Sequence, residues 1–148
     1  MKKLFLTIFI ILCSIGLFAQ VNIDMYIGLT KKDIKRIMKD ELHKVSISDK
    51  LYVLADENGG WKLDDNNYSY MFIYDDNSVL VSFDNVYDKC VRYCIKTNII
   101  HYNDYMDFFN NAYEKNKNEE LSWYDDIVKI KMYICSADNS IRIFYTKK

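Results

Sequence analysis

Tyr68-Ser69-Tyr70-Met71-Phe72-Ile73-Tyr74, Ser78-Val79-Leu80-Val81-Ser82-Phe83 and Cys90-Val91-Arg92-Tyr93-Cys94-Ile95-Lys96 are the runs whose reading decides the fold. Each is rich in aromatic and β-branched residues, and Asp75-Asp76-Asn77 and Asp84-Asn85 stand between them. Such residues favour a half-buried pleated surface, and Asn and Asp tolerate the left-handed backbone of tight turns, so the segment reads as a three-strand meander. Alternation assigns the faces. Val79, Val81, Phe83, Val91, Tyr93 and Ile95 should point one way, and Leu80, Ser82, Cys90, Arg92, Cys94 and Lys96 the other.

Helices flank the meander. On the N-terminal side, Thr30 and Asp33 have capping-box spacing, and Ile34, Ile37, Met38 and Leu42 recur as one apolar stripe. On the C-terminal side, Asn103 is the expected cap of a helix presenting Tyr105, Phe108, Phe109, Ala112 and Tyr113. Ile127–Cys135 and Ile141–Tyr145 then form a hairpin around Asp138-Asn139. The class is α+β, an antiparallel sheet of about five strands in the order helix, three-strand meander, helix, β-hairpin, with both helices on one sheet face. Val128, Ile130, Met132 and Ile134 should meet the helices, while Lys129, Lys131, Tyr133 and Cys135 face away. Residues 43–67 read two ways: Leu51–Ala55 and Trp61–Leu63 as a hairpin across Asn58-Gly59, or one helical turn stopped by Gly59.

The chain starts with Lys2 and Lys3, the apolar run Leu4–Phe18 and the small Ala19. That is the pattern of a secretory signal, and the run is shorter than the ~20 residues of a bilayer span. Residues 1–19 are read as a signal peptide cleaved near Ala19-Gln20, with 20–148 exported to the periplasm or beyond as a single compact domain. Abundant Lys, Asn, Ile and Tyr with no Pro suggest an AT-rich bacterial genome. Removing Lys2 and Lys3 leaves 18 basic against 21 acidic residues, a balance that argues against nucleic acid as a partner. Asp33, Asp40 and Glu41 interspersed among Lys31, Lys32, Lys35, Arg36, Lys39 and Lys44 favour a solvated outer face for the first helix over membrane contact. The element order resembles that of type III secretion chaperones. Gly28-Leu29-Thr30-x-x-Asp33-Ile34 is similar to the opening of small exported bacterial proteins such as the lipoprotein of the outer-membrane barrel assembly machinery. No functional residue carries over from either.

Chemistry is sparse. Neither His43 nor His101 stands in a motif with a nucleophile, and no phosphate-binding glycine loop or nucleophile elbow occurs. The pairs Asp64-Asp65, Asp75-Asp76, Glu119-Glu120 and Asp125-Asp126 read as solvated turns. Neither a metal nor a cofactor is expected. In an oxidising compartment Cys135 has a possible disulfide with Cys90 or Cys94, although three reduced thiols are the simpler reading. Cys90 and Cys94 are about 13 Å apart along one strand and cannot bridge.

The expected function is an exported non-enzymatic binding or protein-interaction module that uses the open face of its sheet. Its binding residues would be Arg92, Lys96, Lys129, Lys131 and Tyr133, and its partner an acidic protein or a second copy in a homodimer. The alternative is a small extracytoplasmic hydrolase or enzyme inhibitor with a cleft near residues 43–67.

Overall fold

The computed structural model describes residues 26–42, 44–51, 53–55, 61–63 and 67–148. Residues 1–19, expected to be a signal peptide, and the expected cleavage point lie outside the described residues, as does Asn58-Gly59. Helix α1 spans Lys31–Leu42. Thr30 Oγ1 donates to Asp33 Oδ2 at 2.6 Å and accepts from Asp33 N at 3.3 Å, which satisfies one of the helix's orphan amides. Its Ile34 and Met38 are fully buried, and Tyr26 donates its hydroxyl to Met38 Sδ.

The strands are β1 (Ser46–Ile47), β2 (Val53–Ala55), β3 (Trp61–Leu63), β4 (Asn67–Tyr74), β5 (Asn77–Asp84), β6 (Cys90–Asn98), β7 (Glu114–Lys115), β8 (Ser122–Tyr124), β9 (Val128–Cys135) and β10 (Ser140–Lys147). Helix α2, Tyr102–Ala112, follows β6 after a 3-10 turn at Ile99–His101. Eight strands form one antiparallel sheet in the order β1-β4-β5-β6-β10-β9-β8-β7, and β2 pairs with β3 apart from it. Of the two readings of residues 43–67, the structure has the strand pair, with Val53 opposite Leu63 and Ala55 opposite Trp61.

The class is α+β around one antiparallel sheet, but eight strands replace the expected five. The five long strands are β4, β5, β6, β9 and β10; β1, β7 and β8 add two or three residues each, too few to show alternation. The extra strands change the chain path. From β6 the chain is carried beyond β8 to the far edge, then walks back through β7, β8, β9 and β10 until β10 pairs with β6. Eleven helical residues and a 3-10 turn reach about 22 Å, enough for the roughly 19 Å of four strand spacings.

Packing follows the register. Val79, Ile95, Ile143 and Met132 form one cross-strand row, and Val81, Tyr93, Tyr145 and Ile130 the next. All eight are buried in one cluster with Ile34 and Met38 of α1 and Phe109 of α2. Phe109 lies 5.0 Å from Trp123 and 6.3 Å from Tyr145, ring centre to ring centre. Tyr93 and Tyr145 stack at 4.4 Å. Asp75 and Asn139 adopt positive φ at their turns, as short Asx residues can.

Several local expectations change. The register between β5 and β6 shifts at Ser82/Phe83, so that Ser82 opposes Arg92 while Phe83 opposes Cys90. Val91 is the extra residue of a β-bulge, and the bulge turns Cys90 into the helix-side core in Val91's place. Ile134 is 50% exposed, because β8 runs alongside β9 only as far as Lys131. The turn before α2 is capped by Asn98, whose side chain accepts from Ile100 N at 3.0 Å; Asn103 lies inside the helix and Ala112 is exposed.

Candidate functional site

The sheet face opposite the helices gathers the residues singled out by alternation. Three cross-strand rows cross it. Ser69, Ser82, Arg92, Thr146 and Lys129 form the first. Met71, Leu80, Cys94, Phe144 and Lys131 form the second, and Ile73, Ser78, Lys96, Arg142 and Tyr133 the third. Arg92, Lys96, Lys129, Lys131 and Tyr133 therefore share one side, joined by Arg142 and Phe144 of β10. Period-two alternation within Ile141–Tyr145 already puts Arg142 and Phe144 on one side of their strand; only the pairing of β10 with β6 reveals which neighbours they meet.

This face is not an array of unpaired cations. Glu119 sits between two of the lysines, with Oε2 at 2.9 Å from Lys129 Nζ and Oε1 at 3.4 Å from Lys131 Nζ. Ser122 Oγ and Asn116 Nδ2 also donate to Oε2, at 3.0 and 3.2 Å. The hydrogen bond from Lys129, followed by that from Ser122, holds the Glu119 carboxyl down at about 2. Two residues on, Leu121 takes φ 50°, a left-handed conformation costing a leucine about 1–2 kcal/mol. Its carbonyl accepts from Met132 N at 2.9 Å, which ties the strained loop to β9 beside the lysines.

A second carboxylate closes the other end. Asp138, in the turn between β9 and β10, meets Lys96 Nζ at 2.8 Å and Arg142 Nη2 at 3.4 Å, and accepts from Ser140 Oγ. The Lys96 hydrogen bond is the largest cause holding its carboxyl below the usual range. Lys96, Lys129 and Lys131 thus each have a carboxylate of their own chain beside them. Neither pairing was visible from spacing, since Lys96 and Asp138 meet only through the β6–β10 register.

The middle of the face is packed as well. Leu80, Ser82 and Cys94 are buried, although Leu80 and the cysteines were expected on display there. Each stands inside the sheet with neighbours on both adjoining strands, and long half-buried side chains such as Arg92 and Phe144 surround them. Tyr133 remains half-buried at the rim, its ring edge-on to Phe144 at 5.4 Å and under the Lys131 ammonium at 5.2 Å.

The cysteines do not converge. All three are free. Cys135 opposes Ser140 and Ser140 opposes Asn98, so Cys135 is two strands across and four residues along from Cys94, roughly 16 Å away. Cys90 points into the opposite core. Burial pushes the thiols of Cys90 and Cys94 up to about 12, which keeps both protonated and weakly nucleophilic at neutral pH.

Among the described residues no group of three His, Cys, Asp or Glu side chains is placed to hold a metal ion. His101 faces Asp104 at 3.7 Å on the surface, and His43 lies outside the described residues. Among them too, no helix is long and apolar enough to cross a membrane. Comparison with protein-family models, curated proteins and solved structures finds no match for the chain.

Proposed function

We propose that the protein is an exported, non-enzymatic interaction module that binds an acidic protein partner on the sheet face opposite its helices. The observation that carries this reading is the cross-strand convergence of Arg92, Lys96, Lys129, Lys131 and Arg142 around Glu119 and Asp138. Among the described residues these cations outnumber the carboxylates that pair with them, Glu119 and Asp138, which favours a positive field on a chain whose net charge is slightly negative. Such a field speeds encounter with an acidic surface and orients it.

The internal ion pairs favour the same reading. Glu119 and Asp138 hold long side chains in fixed places, which lowers the entropy lost when a partner's carboxylates arrive. Tyr133 and Phe144 supply rigid apolar contact at the rim, of the kind that anchors protein interfaces.

Charge reversal tests the proposal. Arg92→Glu, and separately Lys129→Glu with Lys131→Glu, should weaken capture of the partner from a cell-envelope extract, with the largest loss at low salt. Unchanged capture with unchanged salt dependence, in variants that keep the native circular dichroism, would overturn it. A dimer that dissociates in the same variants would replace the acidic partner with a second copy of the chain.

A further inference from the structure

We propose that two loops at one end of the sheet, residues 85–89 between β5 and β6 and residues 125–127 between β8 and β9, dock the protein on a bilayer surface that contains anionic lipids. The register places both loops at the same end: Phe83 opposes Cys90, Thr146 opposes both Arg92 and Lys129, and Lys147 opposes Val128. Their midpoints are three strand spacings apart across β6, β10 and β9, roughly 14 Å. Each loop holds large apolar side chains in water. Val86 is 79% exposed, Tyr87 74% and Ile127 62%.

An aspartate fixes each loop from within. Asp84 Oδ1 accepts from Val86 N at 3.0 Å and from Tyr87 N at 2.6 Å, and its Oδ2 accepts from Lys89 N at 3.2 Å. Asp84 N in turn donates to Lys89 O at 3.0 Å. Asp125 Oδ1 accepts from Ile127 N at 2.6 Å and from Val128 N at 2.8 Å, while Lys148 N donates to Ile127 O at 2.9 Å. Apolar tips held in place beforehand lose little entropy when they dock.

The charges beside the tips suit anionic headgroups. Lys89 follows Tyr87 by two residues, Lys147 opposes Val128 next to Ile127, and both lysines are exposed. A bridge between Thr30 and Lys89 brings the start of α1, with its exposed Lys32, to the first loop. Asp84 and Asp125 are turned to their own amides and Asp88 accepts the Tyr68 hydroxyl, while Asp126 is exposed. Two apolar tips so far apart would need two pockets on a protein partner. One bilayer interface takes both, with the tyrosine at headgroup level and the lysines drawn to negative lipid. This contact is separate from the outer face of the first helix, on whose interspersed acids the expectation of no membrane contact rested.

The test is co-sedimentation of the chain from Gln20 onward, which contains every residue of the core cluster, with vesicles of phosphatidylcholine alone or mixed with phosphatidylglycerol. Binding that grows with the phosphatidylglycerol fraction and falls with salt is expected. Val86→Ser with Tyr87→Ser should weaken it about tenfold, and Ile127→Ser by less. Lys89→Gln with Lys147→Gln should also cost about tenfold on the anionic vesicles. Ile100→Ser removes a side chain that is likewise 74% exposed, at the opposite end of the sheet, and should leave binding intact. No binding, equal binding to phosphatidylcholine alone, or binding unchanged in any of the three loop variants with native circular dichroism would overturn the proposal. An equal loss in Ile100→Ser would overturn it too, by tracing attachment to surface apolarity in general.

Discussion

The two sides of the sheet use the same strands for different purposes. Toward the helices, side chains from β4, β5, β6, β8, β9 and β10 close on Phe109, Ile34 and Met38 with little charge. Away from them, the same strands present an apolar row bounded by cations and two engaged carboxylates. Burying apolar surface holds the fold together, at about 25 cal/mol per Å² removed from water. Surface ion pairs contribute at most about 1 kcal/mol each. The helix side should therefore dominate stability, and the opposite side should contribute chiefly shape and charge.

The largest expected effect breaks the helix side. Phe109 is fully buried among Trp123, Tyr145, Tyr105 and Phe108. Phe109→Ala should cost about 3–5 kcal/mol in urea unfolding. Phe108 is only half-buried, so Phe108→Ala should cost clearly less. Equal losses would mean that α2 sits on the sheet with a different face inward.

The second effect tests how far the contrast holds. Leu80 lies on the side away from the helices yet is buried between Met71 and Cys94. Leu80→Ala should lower stability by about 2–3 kcal/mol if its neighbours cannot close the gap. A loss below about 1 kcal/mol would show that the middle of this face is loosely packed and accessible.

Legibility in the sequence follows the length of each element and the reach of its contacts. β5, β6 and β9 are eight or nine residues long, so period-two alternation sorted most of their side chains correctly. The same alternation placed Arg92, Lys96, Lys129, Lys131 and Tyr133 on one face before any pairing was known. It failed at Cys90 and Val91, where one bulged residue reverses the faces without leaving a mark in composition. Ser122–Tyr124 is too short to alternate, and its Trp123, buried beside Phe109 and donating to Asn110 at 3.0 Å, emerges only from tertiary contact. Glu119 and Asp138 read as ordinary turn acids, because their partners are chosen by the fold of the loop after α2 and by the β6–β10 register.

The smallest expected effect isolates the electrostatics of the face opposite the helices. Glu119→Gln keeps the size of the side chain and removes the charge that Lys129 and Lys131 share. At neutral pH the loss should be about 1 kcal/mol, as for a partly exposed pair with a charge-assisted hydrogen bond. The folded-state value near 2 lies below the ordinary 4.5, so the charged form is favoured by folding. That contribution is complete above about 4.5 and is lost as the pH falls toward 2. Urea titrations at pH 7, 4.5, 3 and 2 should therefore show the gap between native protein and variant constant down to about 4.5 and closing below it. A gap that persisted undiminished at pH 2 would trace the loss to the altered hydrogen bonds of Ser122 and Asn116 rather than to the charge. The lysines would then be held by packing, and the face would keep its shape even where its carboxylates are neutral.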